Sequence, residues 1–214
     1  YTGEGRKRAH YSEMVLDESG NIYVTGSATA KYSPDGDELW VDHYIPSEPK
    51  KDIVEDNDGN VFVTGRASGE GGYDFATIKY NPDGIETWVT RYDGPGNARD
   101  EANALAIDQS GNVYVTGYSE GSDSTYDYAT IKYLPDGIET WVTRYDGPGN
   151  DRDEANAMAI DQFGNVYVTG YSYGSGSDRD YATIKYLPDG SEAWVTRYDG
   201  PGNDRDEAKA LAID

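Results

Sequence analysis

Gly111-Asn112-Val113-Tyr114-Val115-Thr116-Gly117 is the stretch on which the fold turns. It recurs with small changes at Gly20–Gly26, Gly59–Gly65 and Gly164–Gly170, and its asparagines, 21, 60, 112 and 165, stand 39, 52 and 53 residues apart. A Trp-Val pair keeps step with it at Trp40, Trp88, Trp141 and Trp194, at spacings of 48, 53 and 53 residues. Trp141–Ala155 and Trp194–Ala208 are identical at every position. A period of this size marks an array of one supersecondary unit, in which each copy buries its apolar faces against its neighbours.

Each full unit divides into four short segments. In the third unit, strands are expected at Glu101–Asp108, Asn112–Tyr118, Tyr128–Tyr133 and Thr140–Tyr145, all rich in β-branched, aromatic or alternating small residues. Asp108-Gln109-Ser110-Gly111-Asn112 and Pro135-Asp136-Gly137 supply the turns, where Pro fixes φ, Asp bonds locally and Gly takes the left-handed backbone. The same turns return at Asp56–Asn60, Asp161–Asn165, Pro34–Gly36, Pro82–Gly84 and Pro188–Gly190. No helix-length pattern lies between them, so the connections are hairpins and the sheets antiparallel.

Four-stranded units of about 40–50 residues predict the blades of a β-propeller. Ala102, Ala104 and Ala106 suit a narrow inner strand, while Trp141, Thr143 and Tyr145 share one face of an outer strand. The sequence thus reads as a single all-β domain over 1–214, with blades at 1–44, 45–92, 93–145 and 146–198. Residues 199–214 repeat the start of a blade, and Glu207–Asp214 is expected to form an extra inner strand without a hairpin partner.

The run Asp-x-x-Gly-Asn-Val-Tyr-Val-Thr-Gly, Asp-Tyr-Ala-Thr-Ile-Lys-Tyr, Pro-Asp-Gly, Trp-Val-Thr-Arg-Tyr and Gly-Pro-Gly-Asn resembles the SBBP-type β-propeller repeat of bacterial and archaeal proteins. The resemblance covers essentially the whole chain. It implies a propeller and an extracellular or cell-surface location, but no particular activity.

The 214 residues carry 40 Asp and Glu against 18 Lys and Arg, a formal net charge of −22. That field repels nucleic-acid phosphate and anionic lipid, and it attracts cations. No apolar run approaches the length of a membrane helix, so neither nucleic-acid binding nor membrane insertion is expected. An aromatic content of 13%, with 20 Tyr and 4 Trp, argues for a packed chain rather than a disordered one. Without Cys, disulfides and thiolate chemistry are excluded. A first residue of Tyr1 rather than Met points to a processed or excised piece.

No catalytic residue is assigned. Gly117-Tyr118-Ser119-Glu120-Gly121 and Gly170-Tyr171-Ser172-Tyr173-Gly174 fit the Gly-x-Ser-x-Gly pattern, but no helix follows either serine and no His lies beyond His43. The Pro-Asp-Gly…Trp turn resembles the Asp box of sialidase propellers with its Gly one place out of register. Arg91, Arg144 and Arg197 hold equivalent outer-strand positions and should not converge. An acid and a base need different environments, and near-identical blades offer one environment several times.

The acidic loops are the stronger candidates, for calcium. Asp146, Asp151, Asp153 and Glu154 in one copy, Asp93, Asp100 and Glu101 in another, and Asp199, Asp204, Asp206 and Glu207 in a third supply hard oxygen ligands in Gly-rich turns. The spacing is not that of an EF-hand, and Arg99, Arg152 and Arg205 offer the same carboxylates an internal partner. The loops Ser119–Asp127 and Ser172–Asp180, rich in Gly, Ser and Tyr, are candidates for carbohydrate or protein recognition. Lys79, Lys132 and Lys185 read as strand-face charges.

Departures from the repeat concentrate in the first unit, which holds His10, His43 and Arg6-Lys7-Arg8. There Gly26 to Lys31 spans 5 residues where Gly117 to Lys132 spans 15. The expected function is a non-catalytic structural or interaction module that self-associates through the extra strand or blade edges, or belongs to a longer array. A calcium-dependent carbohydrate- or protein-binding propeller is the alternative, and a glycoside hydrolase-like enzyme the least supported reading.

Overall fold

The computed structural model describes residues 11–43, 50–176, 178–202 and 204–213. His10 and Arg6-Lys7-Arg8 lie outside the described residues. The chain forms four separate four-stranded sheets, each an antiparallel meander in chain order. The first comprises β1 (Tyr11–Leu16), β2 (Ile22–Gly26), β3 (Thr29–Tyr32) and β4 (Glu38–Asp42). The second comprises β5 (Lys50–Glu55), β6 (Val61–Ser68), β7 (Tyr73–Tyr80) and β8 (Glu86–Tyr92). The third comprises β9 (Asp100–Ile107), β10 (Val113–Glu120), β11 (Tyr126–Tyr133) and β12 (Glu139–Tyr145). The fourth comprises β13 (Glu154–Ile160), β14 (Val166–Tyr173), β15 (Arg179–Tyr186) and β16 (Glu192–Tyr198). These are propeller blades, packed in series through the inner strands β1, β5, β9 and β13.

The Asp-x-x-Gly-Asn and Pro-Asp-Gly turns of a blade lie at one end, and the hairpin between its two middle strands turns at the other. Asp108 Oδ1 accepts the Ser110 and Asn112 amides at 2.8 and 3.0 Å, and its Oδ2 accepts Asn112 Nδ2 and the Tyr114 hydroxyl at 2.7 and 3.0 Å. Asp17 and Asp161 repeat this set, tyrosine included. Gly111 at φ +78° and Gly137 at φ +87° take the left-handed backbone that the two turns require. The inner strands bury Ala102 and Ala155 completely.

The middle strands run further than their composition predicts. β10 reaches Glu120 and β11 begins at Tyr126, so both ends of the Ser119–Asp127 segment belong to the ladder and only residues 121–125 remain as the loop, with Ser119 and Asp127 buried. The Ser172–Asp180 segment is shortened in the same way by β14 and β15. Glu207–Asp214 differs from expectation more strongly: residues 207–213 form no strand, and Asp214 lies outside the described residues. A ladder needs a partner, and the hairpin that would supply one is not in the described chain. The segment is nonetheless docked, with the Asp206 amide donating to Arg179 O at 2.7 Å and the Ala208 amide to Gly170 O at 3.3 Å.

Successive blades are joined by tryptophan. Trp40, Trp88 and Trp141 donate their indole N–H to the carbonyls of Pro82, Pro135 and Pro188 in the next blade, at 3.3, 3.1 and 3.2 Å. Each ring lies between an aromatic of its own blade (Tyr23, Phe62 or Tyr114) and a tyrosine of the next (Tyr80, Tyr133 or Tyr186), with centroids 5.8–6.5 Å apart. The glycine of the next Pro-Asp-Gly turn sits directly over the indole. A methyl group on Gly84, Gly137 or Gly190 would lie 2.5, 3.0 or 2.8 Å from the Trp40, Trp88 or Trp141 ring, whereas one on Gly36 meets nothing within 4 Å.

This contrast separates backbone strain from lost stacking. Gly36→Ala is expected to cost about 1–2 kcal/mol, the left-handed penalty alone. Gly84→Ala adds a steric clash at a junction and is expected to cost about 1–3 kcal/mol more, read from paired urea melts.

Candidate functional site

The end of each blade opposite its turns carries the polar machinery. There the connection from one blade's outer strand to the next blade's inner strand crosses the hairpin between the two middle strands. Asp153 is fully buried; its Oδ2 accepts the Gly147 amide and its Oδ1 the Tyr173 amide at 2.9 Å. Asp100 does the same with the Gly94 and Glu120 amides at 2.8 and 3.1 Å. These carboxylates staple the crossing connection to the hairpin beneath it.

Arg144 is the second fixture. It donates to Ser119 Oγ at 2.6 Å, Ser119 O at 2.8 Å, Asp127 Oδ2 at 2.7 Å and the Tyr92 hydroxyl at 3.3 Å. Arg197 repeats the set on Ser172, Asp180 and Tyr145, and Arg91 pairs with Asp74 at 3.5 Å. The arginines do not converge; each closes its own blade, and Arg144 and Arg197 also reach a tyrosine of the preceding blade. Ser119 and Ser172 are fully buried and bound by these guanidinium groups, so neither Gly-x-Ser-x-Gly serine is presented as a nucleophile.

The structure sorts the acidic candidates into three groups. Asp93 and Asp100 come together with Asp74, and Asp146 and Asp153 with Asp127, each trio placing one oxygen per residue within 4.8 Å of the others. Asp74 and Asp127 lie at the start of the third strand rather than in the acidic loop. The recurrence of Asp at 74, 127 and 180, two residues before Ala76, Ala129 and Ala182, is the sequence signal that marks them. In the second trio Asp127 is 8% exposed, its Oδ2 is held by Arg144, and its buried Oδ1 has no hydrogen-bond partner.

Glu101 and Glu154 stand apart from both trios. Glu101 meets Lys51, Arg66 and Arg99 at 2.9, 2.6 and 2.9 Å and accepts the Tyr118 hydroxyl at 3.0 Å. Glu154 meets Arg152 at 2.8 Å and accepts the Tyr171 hydroxyl at 2.9 Å. Asp151 is exposed and accepts the Arg152 amide at 2.7 Å. In the last copy, Asp199 and Asp204 are exposed, Asp206 accepts the Gly200 amide at 2.6 Å, and Glu207 binds Asn156 at 3.2 Å. Among the described residues this copy gathers no third carboxylate trio. Lys79 and Lys132 do more than decorate a strand: they donate to Pro135 O and Pro188 O of the next blade at 3.3 and 3.5 Å.

A family model described as SBBP, a β-propeller repeat, matches residues 88–123 and 140–176. A second, described as a domain of unknown function (DUF5122) β-propeller, matches residues 57–84. The chain carries SBBP-type β-propeller repeats. No curated protein matches it. Among solved structures, it is similar to a protein of unknown function from Bacteroides caccae, at 13% identity and a TM-score of 0.42, over 90% of this chain and 83% of that one. It is also similar to a putative gluconolactonase, at 15% identity and a TM-score of 0.46, over 88% of this chain and 64% of that one. A virginiamycin B lyase from Staphylococcus aureus shows 10% identity and a TM-score of 0.41, over 91% of this chain and 72% of that one. These neighbours therefore include proteins named as enzymes, all of them distant.

Two of the buried acids, Asp153 and Glu101, are set in opposite protonation regimes. Burial pushes the Asp153 carboxyl up to about 6; the Ser172, Gly147 and Tyr173 hydrogen bonds oppose it and the Asp146 charge adds to it. Burial also works on Glu101, but Lys51, Arg99 and Arg66 outweigh it and hold the carboxyl at about 2. Glu101 therefore contributes stability that is fully present above its unfolded value near pH 4.3 and is lost as pH falls to about 2. Glu101→Gln is expected to cost about 2–3 kcal/mol at pH 7. The deficit should shrink between pH 4 and pH 2, as read from denaturant melts across that range.

Proposed function

We propose that this chain is a non-catalytic structural and interaction module of an extracellular or cell-surface protein, a rigid acidic scaffold that continues into further copies or a longer array. The observation that carries the reading is the fate of its reactive groups. In the third and fourth blades, the serines, buried aspartates and glutamates that might act on a substrate are used to close the same structural joint. Ser119 and Ser172 are held by Arg144 and Arg197, Asp100 and Asp153 by backbone amides, and Glu101 and Glu154 by arginines. Glu101 alone adds Lys51 and Arg66, and these satisfy the carboxylate rather than leave it poised to transfer a proton.

The test is an assay of the purified chain against lactone, cyclic-ester and glycoside substrates. No saturable turnover is expected. Turnover abolished by a single carboxylate substitution, with the fold retained, would falsify the reading.

A calcium-dependent binding propeller is the second reading, and the Asp127–Asp146–Asp153 trio favours it. Three carboxylates lie within reach of one ion, and the buried Asp127 Oδ1 has an unused lone pair. Oxygen ligands of this kind suit calcium, while Arg144 on the same aspartate opposes a cation. On this reading, calcium at about 100 times its dissociation constant adds about 2.7 kcal/mol to stability, raising the melting temperature by about 5–11 °C. The rise should be smaller at pH 5 than at pH 7.5, because protons hold Asp153 below about 6. Asp146→Asn should abolish it. An unchanged melting temperature with and without calcium removes this reading and leaves the first intact.

A further inference from the structure

The two ends of the array expose the two halves of one joint. Inside the chain, every outer-strand tryptophan is covered by the following blade. In the last blade, the one ring partner of Trp194 among the described residues is its own Tyr167, at 6.1 Å, and Trp194 is 41% exposed. Around it Tyr181 and Tyr198 are 38% and 56% exposed, whereas Tyr128, the counterpart of Tyr181, is fully buried. At the other end, Pro34-Asp35-Gly36 is the same turn that covers Trp40, Trp88 and Trp141 in the later blades. Its Gly36 faces open space. Met14, whose counterparts Ile53 and Leu105 are buried against the preceding blade, is 59% exposed.

Residues 206–213 show how this joint is filled. Asn103 of one inner strand donates to Ala155 O of the next at 2.9 Å, and Asn156 donates to Ala208 O at 3.0 Å. Asp153 and Asp206 likewise enter through equivalent amide bonds, to Tyr126 O and Arg179 O. The tail thus stands on the last blade where β13 stands on the third, as an inner strand lacking its hairpin. Its alternating Ala208, Ala210 and Ala212 match Ala102, Ala104 and Ala106 of β9, whereas β1 has Tyr11, Glu13 and Val15 at those places. By repeat alignment the tail is the better inner strand for the first blade.

We infer that the uncovered face of the last blade receives the first blade of a second copy of this chain, head to tail, with residues 207–213 pairing against the incoming β2 in place of that copy's β1. The exchange is required because the docked tail and an incoming β1 claim one slot. In this joint the Trp194 indole meets the incoming Pro34-Asp35-Gly36 turn, and Leu211 takes the place beside Val24 that Met14 now holds. This rests on the scaffold reading above and names its partner. The interface is heterologous, so two copies close an eight-blade ring or many copies extend as a fibre. Because each copy carries a net charge of −22, screening by salt should strengthen the joint.

The test is sedimentation velocity of the 214-residue chain across a wide concentration range at low and at physiological salt. Concentration-dependent growth to twice the monomer mass or beyond, favoured by salt, is expected. Trp194→Ala and Leu211→Asp should each abolish it, and since among the described residues no other blade stacks a ring on Trp194, the first leaves the monomer fold intact by its circular dichroism and melt. Gly36→Asn, which tolerates the left-handed backbone, should abolish it from the other end. Met14→Asp should not, because β1 leaves the joint. A monomer at every concentration overturns the proposal and assigns the face to another occupant. So does assembly indifferent to Trp194, Leu211 and Gly36, or assembly lost with Met14→Asp. None of these results touches the scaffold reading, which fails only on turnover.

Discussion

The structure depends on an indole that its own blade cannot cover. Trp40, Trp88 and Trp141 stand on outer strands with one ring face against an aromatic of the same sheet. The other face and the N–H are satisfied only by the next blade's Pro-Asp-Gly turn and tyrosine. A sheet of this kind is stable only next to another like it, which is the physical reason for the repeat. The turn glycine has two duties at once: it takes a positive φ, and it leaves out the Cβ that would strike the ring. Nearest-neighbour closure of this sort makes the end blades atypical by construction.

The large negative charge is handled by giving each class of carboxylate a fixed local task. Asp17, Asp108 and Asp161 accept amide, asparagine and tyrosine donors at the hairpin, which hold Asp108 below the ordinary carboxylate range although burial pushes the other way. Asp100 and Asp153 accept backbone amides that the crossing connection would otherwise leave unsatisfied in the interior. Glu101 and Glu154 neutralise arginines of the same connection. Much of the acidity is therefore structural, and it is distributed along the array rather than gathered at one centre.

The blades were legible in the sequence because their determinants are local. The Asp-x-x-Gly-Asn and Pro-Asp-Gly turns, and the alternation between them, span only a few residues each. What the sequence did not reveal depends on contacts between residues far apart in the chain. Ser119 and Asp127 look like parts of a polar loop until Arg144, 25 and 17 residues on, draws both into the ladder. Glu101 looks like a calcium ligand until Lys51 and Arg66, which the other blades do not repeat, reach it from the preceding blade. Asp74 and Asp127 carry no acidic-loop signal because each is the single acid of its strand, among aromatic and apolar residues, Thr and Lys. The tail aligns with the inner strands of the earlier blades, but a strand also needs a neighbour.

The indole-to-turn joint is what holds successive blades together. Hydrogen exchange at the four indole N–H groups, resolved by NMR on the dilute chain, tests it most directly. Trp40, Trp88 and Trp141 should exchange more slowly than Trp194, which lacks a following turn. If Trp88 and Trp141 exchange as fast as a free indole, the joint does not hold the blades.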